Sequence, residues 1–170
     1  MTEYLDNLVR ESLVALAADV HVRRWRAKER NWVNYYAHRH LLSRSAQGTP
    51  FFDPAQIGIE VAVPQPPDRP KSTAPKDLVI WSMPGATCWD EDWTPCSQPM
   101  VVTEWKVHRP GKRNREVASE RYWLAKYCSW QPSVLGFAIE IDLDCPDPIL
   151  ICSRYSGATE QPQWLLAALT

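Results

Sequence analysis

Met100-Val101-Val102-Thr103-Glu104-Trp105-Lys106-Val107-His108 reads as a β-strand whose two faces carry different chemistry. Side chains alternate along a strand, so Val101, Thr103, Trp105 and Val107 share one face while Val102, Glu104, Lys106 and His108 share the other. The first face is core. The second places a carboxylate and an ammonium two positions apart on an otherwise apolar element, and such a pair needs a reason. Upstream, Pro75-Lys76-Asp77-Leu78-Val79-Ile80-Trp81 sets another acid at the head of a second apolar strand.

The flanking sequence supplies the remaining elements. In residues 3–44 apolar side chains recur at helical spacing: Leu5, Leu8, Val9, Leu13, Leu16 and Val20, then Trp25, Trp32, Val33 and Tyr36. That spacing predicts one long helix or two abutting ones. Gly48, Pro50 and Pro54 end it. Ile57 to Val63 alternates with strand period, and a proline-rich loop follows at 64–70. The second strand is read at 77–81, the third at 100–108, with an exposed acidic loop at 88–96 between them. Residues 114–127 read as a helix with Asn114 as N-cap and Val117, Trp123, Leu124 and Tyr127 available for burial. Strands at 135–143 and 149–152 come next, and after Gln161-Pro162 a short capping helix is expected at 164–169. The order α-β-β-β-α-β-β defines an α/β (α+β) fold. Its strand-helix-strand step predicts that the strands at 100–108 and 135–143 run parallel through a right-handed crossover, in a mixed sheet flanked by helices.

With 170 residues and 45% hydrophobic content, the chain suits one domain: a helical segment at 1–47, a core at 51–158 and a cap at 161–170. A net charge of −1 provides no global basic field, so nucleic-acid binding has to come from local patches. No stretch approaches a membrane span, and the polar N-terminus is unlike a signal peptide, so a cytoplasmic location is expected. Five cysteines are an odd number without a Cys-x-x-Cys pair, which argues against a disulfide framework or a zinc ribbon. Cys88 and Cys96 with His108 match no common zinc module. Reduced, mostly buried thiols are expected.

The element order, together with Pro75-Lys76-Asp77 and Glu104-Trp105-Lys106, resembles the PD-(D/E)XK nuclease superfamily, the restriction-endonuclease-like group, over residues 51–151. The resemblance implies a catalytic set of Asp77, Glu104 and Lys106. Asp77 and Glu104 would ligate magnesium or manganese, and Lys106 would orient or deprotonate the attacking water. Glu60 would add a ligand if the first strand pairs beside the second. Members often place an acid on the first helix, for which Glu11 and Glu29 are the candidates. Glu29 stands helically in line with Trp25, Trp32 and Tyr36. The later helix offers Glu120, Arg121 and Lys126, of which Lys126 is carried over as an auxiliary residue. Magnesium takes carboxylate and water oxygens and polarises a phosphoryl group, while a charged lysine nearby steadies developing negative charge. The implied partner is nucleic acid, DNA ahead of RNA, and the implied assembly a homodimer that cuts both strands.

A solvated strand face is the ordinary account of Glu104 and Lys106 taken alone. Asp77 and the element order shift the balance toward a site. Arg109, Lys112, Arg113 and Arg115 lie directly beyond it and are candidates for phosphate contacts. The basic run at 23–30 reads equally well as a solvated helix face. Trp89 and Trp93 can stack on bases or pack their loop onto the domain. The competing function is a catalytically silent interaction module on the same fold, favoured by the near-neutral charge and the acidic, tryptophan-bearing loop.

Overall fold

In a computed structural model of the chain, which describes residues 1–23, 27–67, 69–109 and 117–169, one mixed sheet carries six strands side by side in sequence order. They are β1 (Ile57–Pro64), β2 (Thr73–Ile80), β3 (Val101–His108), β4 (Leu135–Asp142), β5 (Ile149–Ser156) and β6 (Thr159–Ala168). All neighbours pair antiparallel except β3 and β4, which run parallel with helix α3 (Val117–Trp130) between them in the chain. Helix α1 (Thr2–Arg23) and helix α2 (Glu29–Tyr35) precede the sheet. The second of them continues through a π-helical segment, Tyr36–Leu41, and a 3-10 turn, Leu42–Arg44.

Each face of the sheet has its own apolar layer. Leu5, Leu13, Leu16, Trp32 and Tyr36 from the N-terminal helices pack with Val101, Trp105, Phe137 and Ile139 on one side. Trp123, Leu124, Tyr127 and Cys128 of α3 pack with Val79, Val102 and Ala138 on the other. The alternation along β3 is therefore kept for its apolar residues. Gly136 lets α3 approach β4 closely, since a Cβ there would stand 2.8 Å from Cys128 Sγ. A part-buried bidentate pair between Arg154 on β5 and Asp6, at 2.6 and 2.9 Å, ties α1 to the sheet.

Four expectations are corrected. The segment at 164–169 is not a capping helix but part of β6, an edge strand. Gln161-Pro162 reads as a break, yet proline is tolerated on an edge, and Leu165 is buried while Leu166 is exposed, as strand alternation requires. The second strand begins at Thr73 and not at Asp77, and the fifth runs on to Ser156. The acidic loop is exposed from Asp90 to Ser97, but Cys88 is buried and Trp89 bridges Pro95. Trp25 and Asn114 lie outside the described residues. Among the described residues no helix is long and apolar enough to cross a membrane.

One irregularity interrupts the sheet at its first hairpin. In β1, Ile57 and Ile59 face the layer of α1 and α2, whereas Val61 and Val63 face the α3 layer, although all four share one parity. In β2, Leu78 and Ile80 face the first layer, whereas Lys76 reaches Trp123 of α3. Both strands change face at one level of the hairpin, between the pairs Ile59–Leu78 and Val61–Lys76. The residues at that level are Glu60, whose φ of 55° is left-handed, and Asp77. Each is in effect an extra residue in its strand, as in a bulge.

Candidate active site

The face change pulls β2 away from β3. Their ladder covers only Leu78–Thr103, Val79–Val102 and Ile80–Val101, so among the described residues the later half of β3 has no strand beside it on that edge. Its backbone donors there still need partners. Asp77 Oδ2 accepts from the Trp105 N–H at 2.7 Å. The Glu29 carboxylate stands near enough to the Val107 N–H for that dipole to draw its pKa down against burial. Two acids thus stand where a strand's carbonyls would be, and they stand beside Glu104 and Lys106.

Lys106 Nζ is held at 2.7 Å from Glu120 Oε1 of α3 and at 3.3 Å from Glu29 Oε1 of α2. This is the point at which helices from both faces of the sheet reach the fork between β2 and β3. The two carboxylates hold the Lys106 ammonium well above the ordinary lysine range, outweighing its own burial. Glu104, 7% exposed, makes an ion pair with Lys76, whose ammonium also lies 3.6 Å above the centroid of the Trp123 ring. Burial pushes the Glu104 carboxyl up to about 8 against the opposing pull of Lys76, with Asp77 and Glu120 adding repulsion. Burial likewise raises Glu29 and Glu120, and Asp77 contributes repulsion to each.

Beside the fork opens a cleft of about 440 Å³ lined by Lys28, Glu29, Arg30, Asn31, Val33, Ile59, Glu60, Asp77 and Arg109. Glu60 sits at its rim, paired with Arg30 at 2.6 Å. Of the residues singled out in the sequence, Asp77, Glu104, Lys106 and Glu29 are gathered at the fork, and Glu60 and Arg109 line the adjoining cleft. Lys126 is exposed and lies 5.7 Å from the Tyr122 ring centroid; the α3 residue beside Lys106 is Glu120. Glu11 is placed away from the fork, with Arg44 at 3.7 Å. Lys112, Arg113 and Arg115 lie outside the described residues. Trp93 is exposed at its loop tip, whereas Trp89 packs against the α3 layer and donates to the Ala62 carbonyl at 3.3 Å.

Sequence reading missed Lys76. Uniform alternation puts it on the face of Leu78 and Ile80, and nothing in the residue pattern announces the change of face at Asp77.

In chemistry and charge the donor set suits a hard divalent cation. Four carboxylates, Glu29, Asp77, Glu104 and Glu120, act on one another in a desolvated fork that holds Lys76 and Lys106. Oxygen donors of this kind are those magnesium and manganese take. Among the described residues, no three His, Cys, Asp or Glu side chains are gathered closely enough to form a metal-ligating group in this arrangement. Glu104 is turned to Lys76 instead.

No protein-family model, curated protein or solved structure matches the chain.

Proposed function

We propose that the chain is a divalent-metal-dependent phosphodiesterase acting on nucleic acid, DNA ahead of RNA, built on a restriction-endonuclease-like core. The observation that carries this reading is the fork itself. It gathers Asp77, Glu104 and Lys106 with Glu29 at the one place where β2 leaves β3. A purely structural strand end has no need of a desolvated lysine between carboxylates. Asp77 and Glu104 are the residues to hold magnesium or manganese, which when bound supplies Lewis-acid polarisation of the phosphoryl oxygen and a nucleophilic hydroxide near neutral pH. Lys106, kept charged by Glu29 and Glu120, is in this reading the group that orients the attacking water and offsets charge on the scissile phosphate. Arg109 at the cleft is a phosphate contact that positions the backbone without reading sequence.

The test is cleavage of labelled single- and double-stranded DNA and RNA with magnesium or manganese. Wild type is compared with Glu104→Gln and Lys106→Met proteins of verified fold. Loss in both variants is expected. A wild type that cleaves no substrate and shows no calorimetric binding of either metal ends the proposal.

A second reading, a silent interaction module on the same fold, is favoured by one observation: the Glu104 carboxylate is already satisfied by Lys76. In that case Asp77 and Glu29 serve only to cap the open edge of β3.

A further inference from the structure

We infer that Lys76 is a resident counter-ion of this site, holding Glu104 in the absence of a divalent cation, so that the Lys76–Glu104 pair and ion binding exclude each other. The inference rests on the reading of Asp77 and Glu104 as metal ligands, and it adds a regulatory element to that site. A lysine on a sheet ordinarily extends its ammonium to water. Lys76 is 5% exposed and turned inward, which the change of strand face at Asp77 makes possible.

Its seat is built from three sides. The Trp123 ring lies beneath the ammonium, the Glu104 carboxylate pairs with it, and Val61 stands opposite Lys76 in the ladder. The ring is itself fixed: Trp123 Nε1 donates to Gln65 Oε1 at 3.1 Å, and the indole stacks on Tyr127 with centroids 4.5 Å apart. An aromatic face and a carboxylate together suit a monovalent organic cation. An ammonium and a divalent ion on one buried carboxylate repel each other strongly at low dielectric, so one has to leave. Lys76 therefore sets the ion concentration at which the site fills.

The experiment is calorimetric titration of Mn²⁺ into the full-length wild type, Lys76→Met, Lys76→Gln and the double variant Lys76→Met/Glu104→Gln. Thermal melts in EDTA and in Mn²⁺ accompany it. Both single variants are expected to bind Mn²⁺ at least about tenfold more tightly than wild type. They should also melt lower in EDTA and recover more on adding Mn²⁺, and the double variant should lose the gain. A variant that folds only with Mn²⁺ present supports the inference equally, as does binding by the single variants beside a silent wild type. Wild-type binding with an unchanged or weaker affinity in the single variants overturns the inference and leaves the metal reading intact. Absence of binding by every protein overturns both.

Discussion

The carboxylate of Asp77 accepts a hydrogen bond from the backbone N–H of Trp105 at 2.7 Å, and so takes the place of the strand partner that β3 loses where β2 turns away. The backbone duty of Asp77 and its proposed chemical one can be dissected by choice of substitution. Asp77→Ala strands a part-buried N–H and is expected to cost about 1–3 kcal/mol in urea denaturation. Asp77→Asn keeps an acceptor oxygen and should stay within about 1 kcal/mol of wild type. Both should lose metal-dependent cleavage. Full cleavage by Asp77→Asn would confine Asp77 to the backbone role.

The raised Glu104 carboxyl gives the stability a definite pH slope. Folded, the group titrates near 8; unfolded, near its ordinary 4.5. Between those values the folded chain binds more protons than the unfolded one, so stability falls as pH rises from about 4.5 to about 8. Glu29 and Glu120, raised in the same direction, add to it. Urea midpoints measured in EDTA across that range should decline, and Glu104→Gln should flatten the decline. An equal slope in the variant would remove Glu104 as its source.

Lys106 gives a slope of the same sign in a far more alkaline window, here because its charged form is stabilised. Its folded pKa lies above the ordinary value, so the stability it confers is full below about pH 10.5 and lost above the folded value. At neutral pH Lys106→Met leaves Glu29 and Glu120 facing each other, partly exposed, which should cost about 1 kcal/mol after solvent screening. Cleavage should fall by about 10²–10⁴-fold, while Mn²⁺ affinity stays within about threefold or tightens. Loss of Mn²⁺ binding by calorimetry would place Lys106 in the ligand shell's support and not in the chemistry.

The packing of α3 on β4 is tested away from the site. Gly136→Ala puts a Cβ 2.8 Å from Cys128 Sγ and 3.1 Å from Leu124 Cδ2, so the helix has to shift outward. A loss of about 1–3 kcal/mol in a denaturant titration is expected. Because α3 carries Glu120 to Lys106, cleavage should weaken in step. An unchanged midpoint would show that the helix is free to adjust.

Much of this arrangement is legible in the residues themselves. Trp105 and Val107 against Glu104 and Lys106 define β3 and its two faces, and the proline-rich stretches mark where the N-terminal helical pattern gives way to strands. The N-terminal helices and the parallel crossover follow from periodicity and connection length. Other features depend on tertiary context. Pro162 hides β6 because proline signals a break wherever an edge strand has not already been inferred. Lys76 is assigned the wrong side because alternation assumes an unbroken pleat. Glu120 is one of three polar candidates on its helix, and only the packing of α3 on the sheet, which brings Glu120 to Lys106, selects it over Lys126.

Glu60 and Asp77 are the two residues that the hairpin of β1 and β2 does not need for its own alternation. With both removed, Ile57, Ile59, Val61 and Val63 fall into uniform alternation against Leu78 and Ile80, and every apolar side chain keeps its present layer. The scaffold and the acidic site are thus separable at the level of single codons: deleting one residue from each strand converts a kinked hairpin into a regular one. A chain shortened in this way is expected to keep both apolar layers, and it loses the acid that caps Trp105.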